Sequence, residues 1–311
     1  MIIYIKIIRL FRNALIIYLF VMRLKIIFLL ILTCQFTAFS QKKVKKGYYE
    51  TKYEASWSVN FIDDTIKMIP GIEDWFILHI GDDLSYQYGY RSYQNDSIWN
   101  TLNSWDDLGM YIENKKEELR SSNNLREGGV LRNNAFGSIM LYKDHKANKI
   151  KVVDHISIHH FIYEESLTPQ NWEIQDDTTT IAGYACQKAV CDYRGRSYEA
   201  WFTPEIPINE GPWKFFGLPG LIIRLNDTQH HYEFELVEFK KIDEIIDARV
   251  LTTNKFLRGK TTYKLTKIER KKLLGMQWGK QGNMLIEADM AKVGLSYNPS
   301  NKQHDYIERD Y

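Results

Sequence analysis

The sequence predicts a mainly β protein of the α+β class, a large curved antiparallel sheet with a few helices. Three observations predict it. Apolar and polar residues alternate from Tyr53 to Phe61, with Tyr53, Ala55, Trp57, Val59 and Phe61 on one side and Glu54, Ser56, Ser58 and Asn60 on the other. Aromatic residues make up 14% of the 311 residues, with 20 Tyr, 15 Phe and 8 Trp, which excludes a disordered, solvating chain. Helix-start signals are confined to two places, whereas short alternating runs recur throughout.

Residues 1–40 form a leader in this reading. They hold Lys6, Arg9, Arg12, Arg23 and Lys25 and no acid. From Met22, a charged head, a short apolar body (Ile26–Leu32) and the small-residue exit Ala38-Phe39-Ser40 make a signal peptide over residues 22–40, with Met22 as the true start. A membrane anchor using this stretch together with an earlier apolar one, Ile2 to Val21, interrupted by Lys6, Arg9 and Arg12, is the rival. Setting the leader aside leaves 36 basic against 39 acidic groups over residues 41–311. That balance gives no reason to expect nucleic acid as a partner, and contact with a membrane would come only through an uncleaved leader. Residues 41–311 suffice for one sizeable core and show no internal linker, so they read as a single β-rich domain with a helical C-terminal part.

Further strands are expected at Trp75–Ile80, Leu84–Tyr90, Gly137–Tyr142, Lys149–Tyr163, Tyr184–Asp192, Ser197–Thr203, Leu221–Leu225, Tyr232–Phe239 and Arg249–Thr253. Tyr193-Arg194-Gly195-Arg196 marks a hairpin turn. Ser104 with Asp107 caps one helix, running to about Arg120; Thr266 with Glu269 caps another, which Gly275 stops. Asn123–Asn134 reads as an exposed loop.

The densest unusual segment runs from Ala200-Trp201-Phe202-Thr203-Pro204 to Trp213-Lys214-Phe215-Phe216-Gly217-Leu218-Pro219-Gly220-Leu221-Ile222, and it holds four of the seven prolines. Pro219-Gly220 suits the centre of a type II turn, and Trp213, Phe215 and Phe216 arm it with apolar area. Such a turn either plugs one end of a curved sheet or lines a groove for an apolar ligand. The candidate ligand-binding or structural residues are therefore Trp201, Trp213, Phe215, Phe216 and Gly217–Ile222. Arg194, Arg196 and Lys214 are expected to pair with Glu199 and Glu205 as a surface network.

Gly217-Leu218-Pro219-Gly220-Leu221-Ile222 resembles the namesake motif of the GLPGLI family, secreted proteins found mainly in Bacteroidetes-type bacteria. Trp172-Glu173-Ile174, Ile181-Ala182-Gly183-Tyr184, Cys186-Gln187-Lys188-Ala189, Arg194-Gly195-Arg196 and Trp201–Pro207 are similar to its flanks. The resemblance is specific over about residues 164–239 and implies no established activity and no catalytic residue. Its layout is similar to lipoprotein-carrier-like half-barrels, in which a curved sheet wraps helices around an apolar cavity.

Cys186 and Cys191 lie five residues apart on one strand, on opposite sides and roughly 16 Å apart, too far for a disulfide without a break in the strand. His155 and His159 fall on one side of the Lys149–Tyr163 strand with His160 beside them, and His230-His231 open a later one; no matching carboxylate or Cys stands at metal-ligand spacing. Asp63-Asp64 and Asp82-Asp83 read as solvated loop acids. Nucleophile-elbow, zincin, phosphate-loop and dinucleotide motifs are absent. The resulting expectation is a non-catalytic protein exported to the periplasm or cell surface of a Gram-negative bacterium, with no cofactor and no metal. It would bind an apolar or lipid-like ligand or another envelope protein. The alternatives are a secreted metal-dependent hydrolase and a structural or assembly protein.

Overall fold

The computed structural model describes residues 22–23, 48–71, 73–91, parts of 101–117, 139–156, 159–247, 266–277, 280–292 and 307–309. The chain divides into two compact units, Met1–Lys46 and Gly47–Tyr311. In the first, Met22 and Arg23 are helical. Among the described residues no helix is long and apolar enough to cross a membrane.

The second unit is mainly β. Its strands are β1 (Tyr48–Asp64), β2 (Ile69–Pro70), β3 (Asp74–Ile80), β4 (Leu84–Gly89), β5 (Met140–Asp144), β6 (Lys149–Ile156), β7 (His159–Ser166), β8 (Glu173–Ile181), β9 (Tyr184–Tyr193), β10 (Arg196–Thr203), β11 (Leu221–Asp227), β12 (Tyr232–Asp247) and β13 (Thr266–Lys267). Helices α1 (Arg270–Gln277) and α2 (Lys280–Lys292) follow. Helical residues also occur between 106 and 117, opened by a reciprocal cap in which Ser104 N donates to Asp107 Oδ2 and Asp107 N to Ser104 Oγ.

All of these strands belong to one open sheet, ordered β13-β7-β6-β5-β4-β3-β1-β12-β11-β10-β9-β8 with β2 paired to β1. Two antiparallel meanders, β3–β7 and β8–β12, flank the long β1. Chain connectivity forces the sheet to curl. Ten strand-to-strand steps separate β7 from β8, about 48 Å if flat. Only the six residues Leu167–Trp172 join them, a reach of at most about 25 Å. The inner face carries the main core, including Trp57, Val59, Phe76, Leu78, Leu141, Val152, Tyr198 and Phe234.

Several local expectations are corrected. Lys149–Tyr163 is not one strand. β6 and β7 pair antiparallel out to Ile156↔His159, which sets His155 opposite His160. Continuous alternation cannot distinguish a long strand from a tight hairpin. Thr266 sits in β13, so the second helix starts at Arg270, with the Glu269 carbonyl accepting from Leu273 N, and Gly275 lies inside it. β8 was absent from the strand expectations because it is an edge strand, exposed along most of its length and without alternation. The Arg194-Gly195 turn forms as expected, with φ of 49° and 79°, the two positive values of a type I′ hairpin. Expectations over Arg249–Thr253 and Asn123–Asn134 lie outside the described residues.

Candidate functional site

Between β10 and β11, adjacent antiparallel strands, the chain inserts seventeen residues, Pro204–Gly220, instead of a tight turn. This segment is driven inward by its own aromatics. Trp213, Phe215, Phe216 and Leu218 are all buried, Phe215 completely, and Leu221 and Ile222 continue the burial into β11. Phe215 packs on Tyr198, Tyr193 and Trp172, and Trp213 on Phe76. Gly217 and Pro219 are exposed. Trp201 stands apart, half-buried and on the opposite face of the sheet.

The turn geometry differs from expectation. Positive φ falls on Gly217 (95°), not on Gly220, and Gly220 N donates to Leu218 O at 2.8 Å across Pro219. Gly220 is required for space instead, since a Cβ there would lie 2.1 Å from Thr203 O.

A segment outside the ladder needs other partners for its backbone groups. Polar side chains from the sheet and from the Leu167–Trp172 connection supply them. Gln87 of β4 accepts from Trp213 N at 2.8 Å. Lys143 of β5 donates to Gly211 O (3.0 Å) and Phe215 O (3.1 Å). Gln170 donates to Lys214 O and accepts from Phe216 N. The Trp172 indole donates to Phe216 O, and the Trp57 indole to Ile222 O just beyond the segment in β11.

Two buried charge clusters flank the segment. In the first, Glu210 takes Lys143 Nζ on Oε2 (2.7 Å), and Ser85 Oγ (2.6 Å) and His145 Nε2 (2.8 Å) on Oε1. Burial alone would raise the Glu210 pKa, but the Lys143 ammonium, then His145, hold it down at about 2. Ser, His, Glu and Lys invite a catalytic reading, and the proton directions oppose it. A carboxylate only accepts, so Ser85 and His145 both point their protons at Glu210, and Ser85 Oγ lies 3.4 Å from the same Nε2. The histidine therefore does not serve as a base toward the hydroxyl, as a nucleophile pair requires.

In the second cluster Lys214, from the inserted segment, reaches Glu165 of β7 (2.6 Å) and Glu308 (2.7 Å). Arg270 of α1 bridges the same two carboxylates at 3.2 and 2.8 Å, and Arg194 lies 2.6 Å from Glu165 and 3.7 Å from Glu308. Burial opposes the Glu308 charge, but Lys214, then Arg194 and Arg270, hold its pKa below the usual range. Arg196 makes a third buried pair with Asp227 at 2.6 Å. The expected surface network is thus corrected: Glu199 pairs with Lys188, and Glu205 accepts from Ala185 N. Sequence reasoning missed Ser85, Gln87, Lys143 and Glu165. Lys143 shares strand parity with the buried Leu141, and Glu165 with Phe161 and Tyr163, so a polar residue on the apolar side of an alternating run was the available signal for these two. Ser85 and Gln87 alternate with Leu84, Tyr86 and Tyr88 and lie on the polar side of β4, which gave no such signal.

The outer face of β1, β12, β11 and β10 carries a recess of about 340 Å³. Two rows cross it, Ser58–Glu235–Arg224–Trp201 and Asn60–Glu233–Asn226–Glu199, set by strand register. Glu235 pairs with Arg224 at 3.0 Å and Glu233 with His230 at 2.7 Å. Lys188 lies 5.8 Å above the Trp201 ring. Among the described residues no three His, Cys, Asp or Glu converge as metal ligands. Cys186 and Cys191 are free and buried.

Residues 194–224 match the model of a family described as a protein of unknown function (Porph_ging), an uncharacterised domain typical of Bacteroidetes. No curated protein matches. Two solved structures of PNGF-II, in space groups C2 and P21, are similar at 16% and 15% identity with TM-scores of 0.44 and 0.45. Each covers 75% of this chain, which spans about a third of theirs (33% and 34%). Likeness at that level says nothing about activity.

Proposed function

We propose that the chain is an exported, non-catalytic envelope protein of the GLPGLI type, and that it recognises a polar segment of another envelope protein through the outer recess around Trp201. The observation that carries this reading is the filled inner face. Pro204–Gly220 occupies the concave side where a lipid-like ligand would have to sit, and its aromatics are spent on core packing. Recognition is then left to the outer face, where the half-buried Trp201 adjoins carboxylates, amides and a guanidinium in one recess. A large aromatic with a polar handle beside convergent polar groups is the composition of an interaction site. Export is supported by the leader pattern of residues 22–40.

The test places a photo-reactive phenylalanine analogue at position 201, and in a control at the exposed Met284, in cells producing the full chain. The expected result is a discrete cross-linked protein from 201 alone. Absence of a product at 201, or the same product at 284, overturns the recognition reading. Cell fractionation with N-terminal sequencing checks export, with Gln41 as the expected first residue.

A further inference from the structure

Residues Ile307–Arg309 are held in a groove built from parts of the chain far away in sequence. Ile307 is buried in the core, and its carbonyl accepts from Tyr198 Oη at 2.7 Å. Glu308 enters the second charge cluster, taking Lys214 (2.7 Å) and Trp213 Nε1 (3.2 Å) on Oε1 and Arg270 Nη1 (2.8 Å) on Oε2. Arg309 N donates to Arg194 O at 2.7 Å, and its guanidinium meets Gly195 O and Gln229 Oε1. A Cβ on Gly195 would lie 2.9 Å from Arg309 Cβ, so the hairpin turn is bare where this segment crosses it.

We infer that this groove is a peptide-binding site for an apolar–acidic–basic segment, which the chain fills with its own residues 307–309. Each position has its own receptor. The apolar core takes Ile307, the backbone bond from Arg309 N to Arg194 O fixes the path of the chain, and carbonyl and amide oxygens take Arg309. The acidic position is the most demanding. Lys214, Arg194 and Arg270 face Glu165 and Glu308, and without Glu308 only the pairs to Glu165 remain of those described. Buried cations that lose a carboxylate are strongly destabilised, so the groove selects a carboxylate there. Lys214 and Trp213 belong to the inserted segment, so filling the groove also fastens that segment, through contacts distinct from those of Glu210. This site is separate from the outer recess and does not rest on the function proposed above.

The test uses the full chain with its own segment disabled by Ile307→Ser and Glu308→Ser, and a fluorescein-labelled peptide of residues 302–311 as probe. Anisotropy titration is expected to show binding to the disabled chain. Binding should be at least about 10-fold weaker to the unaltered chain, where the tethered segment competes at high effective concentration. A peptide carrying Glu308→Gln should bind the disabled chain at least about 10-fold more weakly. Should the disabled chain not fold alone, the unaltered peptide is expected to restore its near-ultraviolet circular dichroism, and the Gln peptide to fail. Neither binding nor rescue, or equal behaviour of the two peptides, overturns the inference.

Discussion

Replacing Lys143 with Met tests whether the first charge cluster fixes the inserted segment. Lys143 is fully buried, and its ammonium makes three bonds, to Glu210 Oε2, Gly211 O and Phe215 O. Met keeps most of the volume and removes the charge and all three donors, leaving an ionised carboxylate with only Ser85 and His145. Breaking a buried pair in this way costs about 3–5 kcal/mol. The cluster also carries a pH signature. With Lys143 and His145 acting together against burial, the Glu210 pKa falls from 4.5 to about 2, on the order of 3 kcal/mol of linked stability for the whole cluster. Because the folded value is the lower one, this stability is present above about pH 4.5 and is lost as pH falls toward about 2. Urea unfolding of residues 41–311 should therefore show Lys143→Met less stable by about 3–5 kcal/mol at pH 7, with a smaller loss of stability on acidification than the parent. The double variant Lys143→Met/Glu210→Leu should recover most of the loss, since no buried charge is stranded. A single-variant cost under about 1 kcal/mol with an unchanged acid profile would refute the reasoning.

Two further outcomes follow from the packing. Gly220→Ala should destabilise by about 2–3 kcal/mol, because its Cβ meets Thr203 O, whereas Gly275→Ala, with open space inside α1, should stabilise by about 0.5–1 kcal/mol; thermal melts of both check this. Burial, then Asp192, pushes the Cys191 thiol up to about 12, and burial raises Cys186 as well, so Ellman's reagent at pH 8 should find no fast thiol in folded residues 41–311 and two in urea.

The sheet was legible because its inner face obeys a simple rule. Along β1, Ala55, Trp57, Val59 and Phe61 are buried, and the residues between them face outward, as period-two alternation requires. The Arg194-Gly195 hairpin was legible for a similar local reason, since two positive φ values suit that pair. Order across the sheet was not legible. β1 lies between β3 and β12, and β1–β12 contact is a long-range choice that no local pattern records. The candidate segment was found by composition, but its neighbours were not. Glu210 meets Ser85, Lys143 and His145 across 125, 67 and 65 residues of sequence. Glu308 reaches Trp213 across 95.

The inward polar residues have a common physical cause. A seventeen-residue segment packed inside a curled sheet brings buried backbone amides and carbonyls that no strand satisfies, and each left unmade costs about 1–3 kcal/mol. Gln87, Lys143, Gln170 and Trp172 each meet at least one of those groups. Lys143, once buried for this purpose, needs a carboxylate, and Glu210 supplies it from within the segment. Glu210 has a second oxygen, which Ser85 and His145 occupy. A set of residues with the chemical identities of a catalytic centre thus arises step by step from the need to satisfy an irregular buried backbone. A catalytic group must be within reach of a substrate, and the Glu210 carboxylate is buried, with its oxygens turned to Lys143, Ser85 and His145. The distinction predicts how substitutions sort: changes at Ser85, Lys143 or Glu210 should move unfolding free energy, and changes at Trp201 should move partner capture with stability nearly constant.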